Sequence, residues 1–188
     1  DKAIECDVEN FPTPDELWNM TFPKEQTILD RFFAVPYEDR GGSWQPRYYQ
    51  NNAINKTLEA VADDKKRILL TLATGTGKTA IAFQIAWKLF HSKWNIQKDF
   101  SRSPRILFLA DRRNLVVQAK EETFEKFLSS VQMATIIEGR KMGAEDARIG
   151  FSTYQSMLAI INDSSTCPFC IGHVDLIIVD EAHRSLFN

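Results

Sequence analysis

No run of about 18 apolar residues occurs in this 188-residue sequence, so none of it reads as a membrane-spanning helix. Its first ten residues, "DKAIECDVEN", have neither the basic start nor the apolar stretch of a secretory signal. A cytoplasmic protein without a membrane partner is the expectation. An excess of positive charge is also missing. Twenty-three basic residues face 25 acidic ones, for a net charge of -2, which confines any binding of nucleic acid to a local patch. Cysteine is scarce too. Cys6, Cys167 and Cys170 are too few and too unevenly spaced for a disulfide framework and fit a reducing compartment. In "STCPFCIGH" the residues Cys167, Cys170 and His173 have metal-like spacing, but a structural zinc site wants four ligands. Cys6 is the one remaining thiol, so a reduced, metal-free loop is expected.

With 44% hydrophobic and 26% charged residues, the chain has the make-up of a globular protein with one well-buried domain. Five of its seven prolines, Pro12, Pro14, Pro23, Pro36 and Pro46, fall in the first 47 residues together with Gly41 and Gly42. Such punctuation leaves room only for short helices, near Asp15 to Met20 and Lys24 to Phe33. Residues 1–47 therefore read as an arm or linker.

From Gln50 onward, apolar runs of strand length alternate with helical stretches. Strands are expected at Arg67 to Ala73, Arg105 to Ala110, Met133 to Glu138, Ala147 to Thr153 and Val174 to Asp180. Helices are expected at Gln50 to Ala62, Lys78 to Ser92, Arg112 to Ser129 and Tyr154 to Ile161. This alternation is that of an α/β fold with a mostly parallel sheet flanked by helices. The runs "ILLTLA", "ILFLA" and "LIIVD" do not alternate polar with apolar, as strands covered on both faces should not.

Chemistry enters with "LLTLATGTGKTA", Leu69 to Ala80. A phosphate-binding loop needs small residues where backbone N–H groups curl around the anion, then a helix whose N-terminus faces it. Gly75 and Gly77 supply the permissive backbone, with Thr74, Thr76 and Ala80 around them. Lys78 is placed to reach the β- and γ-phosphates and Thr79 to ligate Mg²⁺. Leu72 stands where the usual pattern has glycine. The competing reading, a strand-to-helix turn that binds nothing, does not account for Gly-Lys-Thr at the start of so apolar a helix.

A second signal is "DLIIVDEAHRS". Its apolar strand ends in Asp180, which puts a carboxylate at the edge of the sheet where ligands bind in open α/β folds. Asp180 is suited to hold Mg²⁺ through water, and Glu181 to orient or deprotonate an attacking water.

Together "ATGTGKT" and "DEAH" resemble motifs I and II of the superfamily 2 helicases and translocases, in which the first motif commonly begins with a residue other than glycine. "PRYYQNNAI" resembles the adenine-recognition element of that superfamily, "FLADRRNLVVQA" its motif Ia, and "STYQSM" the DNA-backbone motif that follows. With "FPTPDELW" and "DEAHRS", these words are similar to the motor subunit of type I restriction enzymes. The resemblance implies a RecA-like phosphate-loop domain over residues 48–188, with ATP and Mg²⁺ as cofactors. It implies Gln50 at the adenine edge with Arg47 as helper, and Lys78, Asp180 and Glu181 as catalytic residues. His183 would couple ATP to DNA. Asp111, Arg112 and Arg113, and Ser152, Thr153, Tyr154 and Gln155, would lie along duplex DNA. Simpler alternatives stand beside two of these roles: Gln50 as an exposed helix residue, and Arg112 with Arg113 as a solvated helix start.

The implied function is the ATP-binding part of a double-stranded DNA translocase. In the resembled family it works with DNA methyltransferase and specificity subunits. A strand-separating helicase and a non-hydrolysing nucleotide switch or scaffold are the rivals. Glu181 counts against the switch, which needs no base for water. The sequence stops eight residues after Asp180, whereas in the family the next strand carries motif III and a second RecA-like domain supplies an arginine finger. A fragment that binds ATP but turns over little alone is the expectation. No nuclease core is evident in residues 1–47, read as a linker from a nuclease domain upstream.

Overall fold

The computed structural model describes residues 11–21, 27–39, 41–136, 146–162, 169 and 172–182. Cys6, Cys167, Cys170, His183 and the end of the expected strand at Glu138 lie outside the described residues.

Helices α1 (Pro14–Thr21), α2 (Ile28–Ala34), α3 (Tyr48–Ala62) and α4 (Lys78–His91) come first. They are followed by strand β1 (Ile106–Ala110), helix α5 (Arg113–Gln118), a π-helical segment Ala119–Phe124 and the short α6 (Glu125–Phe127). Strands β2 (Met133–Ile136) and β3 (Ile149–Thr153), helix α7 (Tyr154–Asn162) and strand β4 (Leu176–Val179) complete the order. The four strands form one sheet in the order β2-β3-β1-β4, and every pairing is parallel. An α/β fold with a parallel sheet flanked by helices is therefore what the chain adopts.

Alternation along β1 explains the two layers. Ile106, Phe108 and Ala110 point into a core shared with Phe83 and Ala86 of α4, Val116 of α5, and Phe124. Leu107 points the other way, toward Met157 and Ile160 of α7 and Ile136 of β2. Side chains one residue apart on a strand leave opposite faces, so this short run carries helices on both sides. The first core is aromatic: Phe124 meets Phe83 and Phe151 edge-on, each at 5.2 Å between ring centres. Gly150 on β3 has no room for a side chain, since a Cβ there would lie 2.8 Å from the ring of Phe169.

The helix expected from Arg112 to Ser129 is interrupted by the π-helical segment. Its wider turn brings residues five apart together, and Lys120 Nζ lies 3.1 Å from Glu125 Oε1. An added residue per turn shifts the helix face, and here Ala119 and Phe124 are both buried in the aromatic core.

One expected strand is absent. Arg67 to Ala73 runs extended into the phosphate loop but joins no ladder, and Leu69 is 82% exposed. Strand β4 pairs only with β1 among the described strands. On its outward side Ile177 and Val179 are 56% and 44% exposed, so "LIIV" alternates in burial instead of being covered on both faces. An apolar run becomes a strand only when a neighbour supplies the hydrogen-bond ladder, and no described segment does so here.

A third cluster gathers α2, α3 and α4 around Phe32, Ile54, Leu58, Ile81 and Leu89. Residues 35–38 cross this cluster as a strap. Gln84 donates to the Glu38 carbonyl at 2.7 Å and accepts from its N–H at 3.1 Å, Trp87 donates to the Pro36 carbonyl, and Lys88 to that of Val35. The Tyr37 hydroxyl donates to Asn51 of α3 at 2.5 Å. None of the described helices is long and apolar enough to cross a membrane.

Candidate functional site

The phosphate loop takes its shape from two glycines in the left-handed region, Gly75 at φ +78° and Gly77 at φ +81°. Gly77 is the N-cap of the 14-residue α4, and no side chain is bonded to that cap. The first amides of a helix have no partners within it, so this end presents donors and the positive pole of the helix dipole to an anion. Thr74, Gly75 and Gly77 are exposed, while Thr76, Lys78, Thr79 and Ala80 are half-buried. Thr76 closes the loop by donating its hydroxyl to the Ala73 carbonyl at 2.8 Å.

Gln50 is buried rather than being an exposed helix residue. Its amide nitrogen donates to the Thr76 carbonyl at 2.9 Å, and its oxygen accepts from the Arg47 N–H at 2.9 Å. The start of α3 is thereby tied directly to the phosphate loop. A Cβ at Gly77 would stand 2.8 Å from Gln50 Nε2, whereas one at Gly75 would meet nothing within 4 Å. Gly75→Ala is expected to cost only the left-handed penalty of about 1–2 kcal/mol. Gly77→Ala adds the displacement of Gln50, for a further loss of about 1 kcal/mol. Equal shifts of the two variants in urea denaturation would show that the Gln50 contact carries no weight.

Across the sheet edge, Asp180 follows β4, and its N–H donates to the Leu109 carbonyl at 2.8 Å. Burial pushes its carboxyl above the usual range and the charge of Glu181 adds to this, while the Glu181 N–H and Lys78 oppose the rise. Glu181 sits at φ +53°, a costly conformation for a residue with a side chain. Its carboxylate lies 3.6 Å from Lys78 Nζ, with both side chains about one-third exposed. Two residues from opposite ends of the alternating region are thus brought to the same helix end.

The residues expected along DNA fall into two groups. Arg112 and Arg113 are exposed at the start of α5, with Asp111 beside them, its carboxylate 3.8 Å from Arg112 Nε. At the end of β3, Ser152 is buried and donates to the Ile136 carbonyl at 2.7 Å. Thr153 is buried too; it donates to the Ser156 hydroxyl and accepts from the Ser156 N–H, capping α7. Tyr154 is half-buried and Gln155 exposed. Arg47 is exposed, with its guanidinium on the Tyr49 hydroxyl at 3.2 Å. His173 is exposed. Among the described residues no group of three or more His, Cys, Asp or Glu is placed to hold a metal ion.

The pattern of Gly-Lys-Thr and Asp-Glu was readable from spacing alone. The grip of Gln50 on Thr76 and the reach of Tyr154 to the Asp180 carbonyl were not, because each joins segments far apart in the chain.

The sequence matches the family described as "Type III restriction enzyme, res subunit" over residues 43–188. It is 38% identical over 183 residues to the type I restriction enzyme EcoAI endonuclease subunit of Escherichia coli, covering 94% of this chain and 21% of that protein. It is 33% identical over 175 residues to the EcoKI endonuclease subunit of Escherichia coli (strain K12), covering 91% of this chain and 14% of that one. The solved fragment of an HsdR subunit of a type I restriction enzyme from Vibrio vulnificus YJ016 is similar in structure, with a TM-score of 0.60 and 38% identity, covering 94% of this chain and 29% of that one. The chain thus spans only 21% and 14% of the length of these two curated relatives.

Proposed function

This chain belongs to the family of type III restriction enzyme res subunits, and from that premise we propose that it is the ATP-binding part of a duplex-DNA translocase in a type I restriction endonuclease. The observation that carries the proposal is the meeting of Lys78 with Glu181, 3.6 Å apart at the N-terminus of α4. A strand-end carboxylate within reach of the phosphate-loop lysine is placed to position an attacking water at the γ-phosphate, which hydrolysis needs and mere nucleotide binding does not.

Residues 48–188 act as the nucleotide domain, and residues 1–47 lead into it. The residues present fit ATP: an uncapped helix end, open space at Gly75 and a lysine at the first turn. Gln50, its amide already bonded to Thr76 and to the Arg47 N–H, would meet the adenine through its remaining N–H and lone pair, with Arg47 beside it. Thr79 and Asp180 would hold Mg²⁺ with the phosphates, an ion that ordinarily takes one or two carboxylates and keeps several waters. When bound, it neutralises charge that develops on the phosphoryl oxygens. Lys78 draws the β- and γ-phosphates onto the loop, and Glu181 takes the proton of the attacking water. Arg112, Arg113 and Gln155 face duplex DNA as contacts to phosphate, which position without reading sequence. His183 couples the two sites, and the methyltransferase and specificity subunits of the family are the partners.

The test uses the full-length protein with its partner subunits. Duplex DNA is expected to stimulate ATP hydrolysis, and the moving protein to displace a third strand from a triplex without separating the duplex. Efficient separation of duplex strands would assign the chain to the helicases. Binding of ATP without hydrolysis would assign it to the nucleotide switches, and hydrolysis indifferent to DNA would sink the motor reading.

A further inference from the structure

We propose that Tyr154 is a positioning residue that links the DNA-facing start of α7 to the peptide joining Asp180 and Glu181; this inference rests on the hydrolytic reading above. Thr153 and Val179 flank the end of β1, in register with Ala110 and Leu109. Tyr154 is one residue beyond Thr153, and Asp180 one beyond Val179. The two therefore stand across β1, two strand spacings or about 9.5 Å apart. A serine or threonine is too short to close that gap. The tyrosine closes it, and its hydroxyl donates to the Asp180 carbonyl at 2.5 Å.

That carbonyl belongs to the peptide unit whose N–H is that of Glu181. The same N–H donates to Asp180 Oδ1 at 3.0 Å. A planar peptide held at both ends has a fixed orientation, and this plane sets the direction in which the chain enters Glu181 at φ +53°. From there the Glu181 carboxylate reaches Lys78. Loss of the Tyr154 hydroxyl frees the carbonyl end of the plane, so the carboxylate that handles water loses its aim while the phosphate loop is untouched. Gln155, next in sequence, is exposed on the first turn of α7. A DNA strand that bears on Gln155 acts on the residue beside Tyr154, which gives a mechanical route from the DNA surface to the hydrolytic carboxylate.

The experiment compares the wild-type full-length protein with Tyr154→Phe, with 4-aminophenylalanine at position 154, and with Glu181→Gln, each with its partner subunits and duplex DNA. Tyr154→Phe is expected to lower DNA-stimulated kcat by about 10- to 100-fold, the size of effect that a small misplacement of a reacting group produces. KM for ATP should stay within about twofold, and the melting temperature should not move. The 4-amino group keeps a donor and should restore most of kcat. Two results would overturn the inference: kcat within about twofold of wild type, or a fall in kcat accompanied by lower ATP affinity and melting temperature that the amino variant does not rescue. Intact turnover in Glu181→Gln would overturn the hydrolytic reading itself. Loss in Glu181→Gln with normal rates in Tyr154→Phe would sink the positioning role alone.

Discussion

Exchange of Glu181 for Gln is expected to cut DNA-stimulated ATP turnover in the full-length protein by about 10² to 10⁴-fold, the usual contribution of a positioned general base, while ATP still binds. The substitution keeps shape and removes only the ability to take a proton. The left-handed backbone at φ +53° penalises Glu and Gln alike, so the fold has no reason to respond. The ion pair with Lys78 is lost, but it is partly exposed and longer than an ideal hydrogen-bonded pair. Pairs of that kind are worth about 1 kcal/mol or less. On the proposed reading, affinity for ATP rests on the loop amides and Lys78, which the substitution leaves unchanged. Single-turnover hydrolysis and equilibrium binding of a fluorescent ATP analogue separate the two effects. Turnover near the wild-type rate would remove Glu181 from the chemistry.

A large loss of stability is expected at the other end of the sheet, at Asp175. Its side chain is 2% exposed and accepts four N–H groups. Arg102 Nη1 bonds at 2.6 Å and Nη2 at 3.1 Å, with the backbone of Arg105 at 2.8 Å and of Ile96 at 3.0 Å. The residue thus ties the loop before β1 to the start of β4. Asp175→Asn turns an amide group toward two of these donors and leaves Arg102 with only the charge of Asp99 nearby. The Arg102 side chain is 35% exposed, so the loss falls below that of a fully buried pair, at about 2–3 kcal/mol, measurable as a lower urea midpoint of the 188-residue chain. A loss under 1 kcal/mol would show that water replaces the pair.

The pH dependence follows from the same contacts. Burial pushes the Asp175 carboxyl up, but Arg102 and the N–H groups of Arg105 and Ile96 outweigh it and hold the carboxyl below the usual carboxylate range. A folded value lower than the unfolded one means that the stabilisation is full above the unfolded value, near 3.9, and fades as pH falls through the folded value. The difference between wild type and Asp175→Asn should therefore be constant at neutral pH and shrink below about pH 4.

Much of this architecture is legible in the amino-acid sequence, for identifiable reasons. "ILFLA" is apolar on both faces and too short for a buried helix, and it is β1. Gly75 and Gly77 are needed where φ is positive, and they mark the loop. Elsewhere the deciding contacts are not local. "RILLTLA" has the same apolar content as a strand, yet it stays extended and unladdered. The residues "AKEETF" suit α- and π-helix equally, and the wider turn accompanies the packing of Phe124 among Phe83, Phe108 and Phe151. In "STYQ", nothing in the spacing says that Ser152 and Thr153 turn inward while Gln155 turns out.

The strap over α4 carries its own consequence for how this sequence tolerates change. Gln84, Trp87 and Lys88 hold it by main-chain groups of residues 35, 36 and 38, so most of the grip is on peptide units, with Lys88 over the Tyr37 ring and the charge of Glu38 acting on His91 as the side-chain contributions. Val35 and Pro36 can drift as long as that path survives, whereas Tyr37 is held through its hydroxyl. Substitution at Gln84, Trp87 or Lys88 would loosen the strap at the peptide unit that each one holds. The same helix that begins at the phosphate loop thereby serves, along its length, as a clasp for whatever chain leads into it.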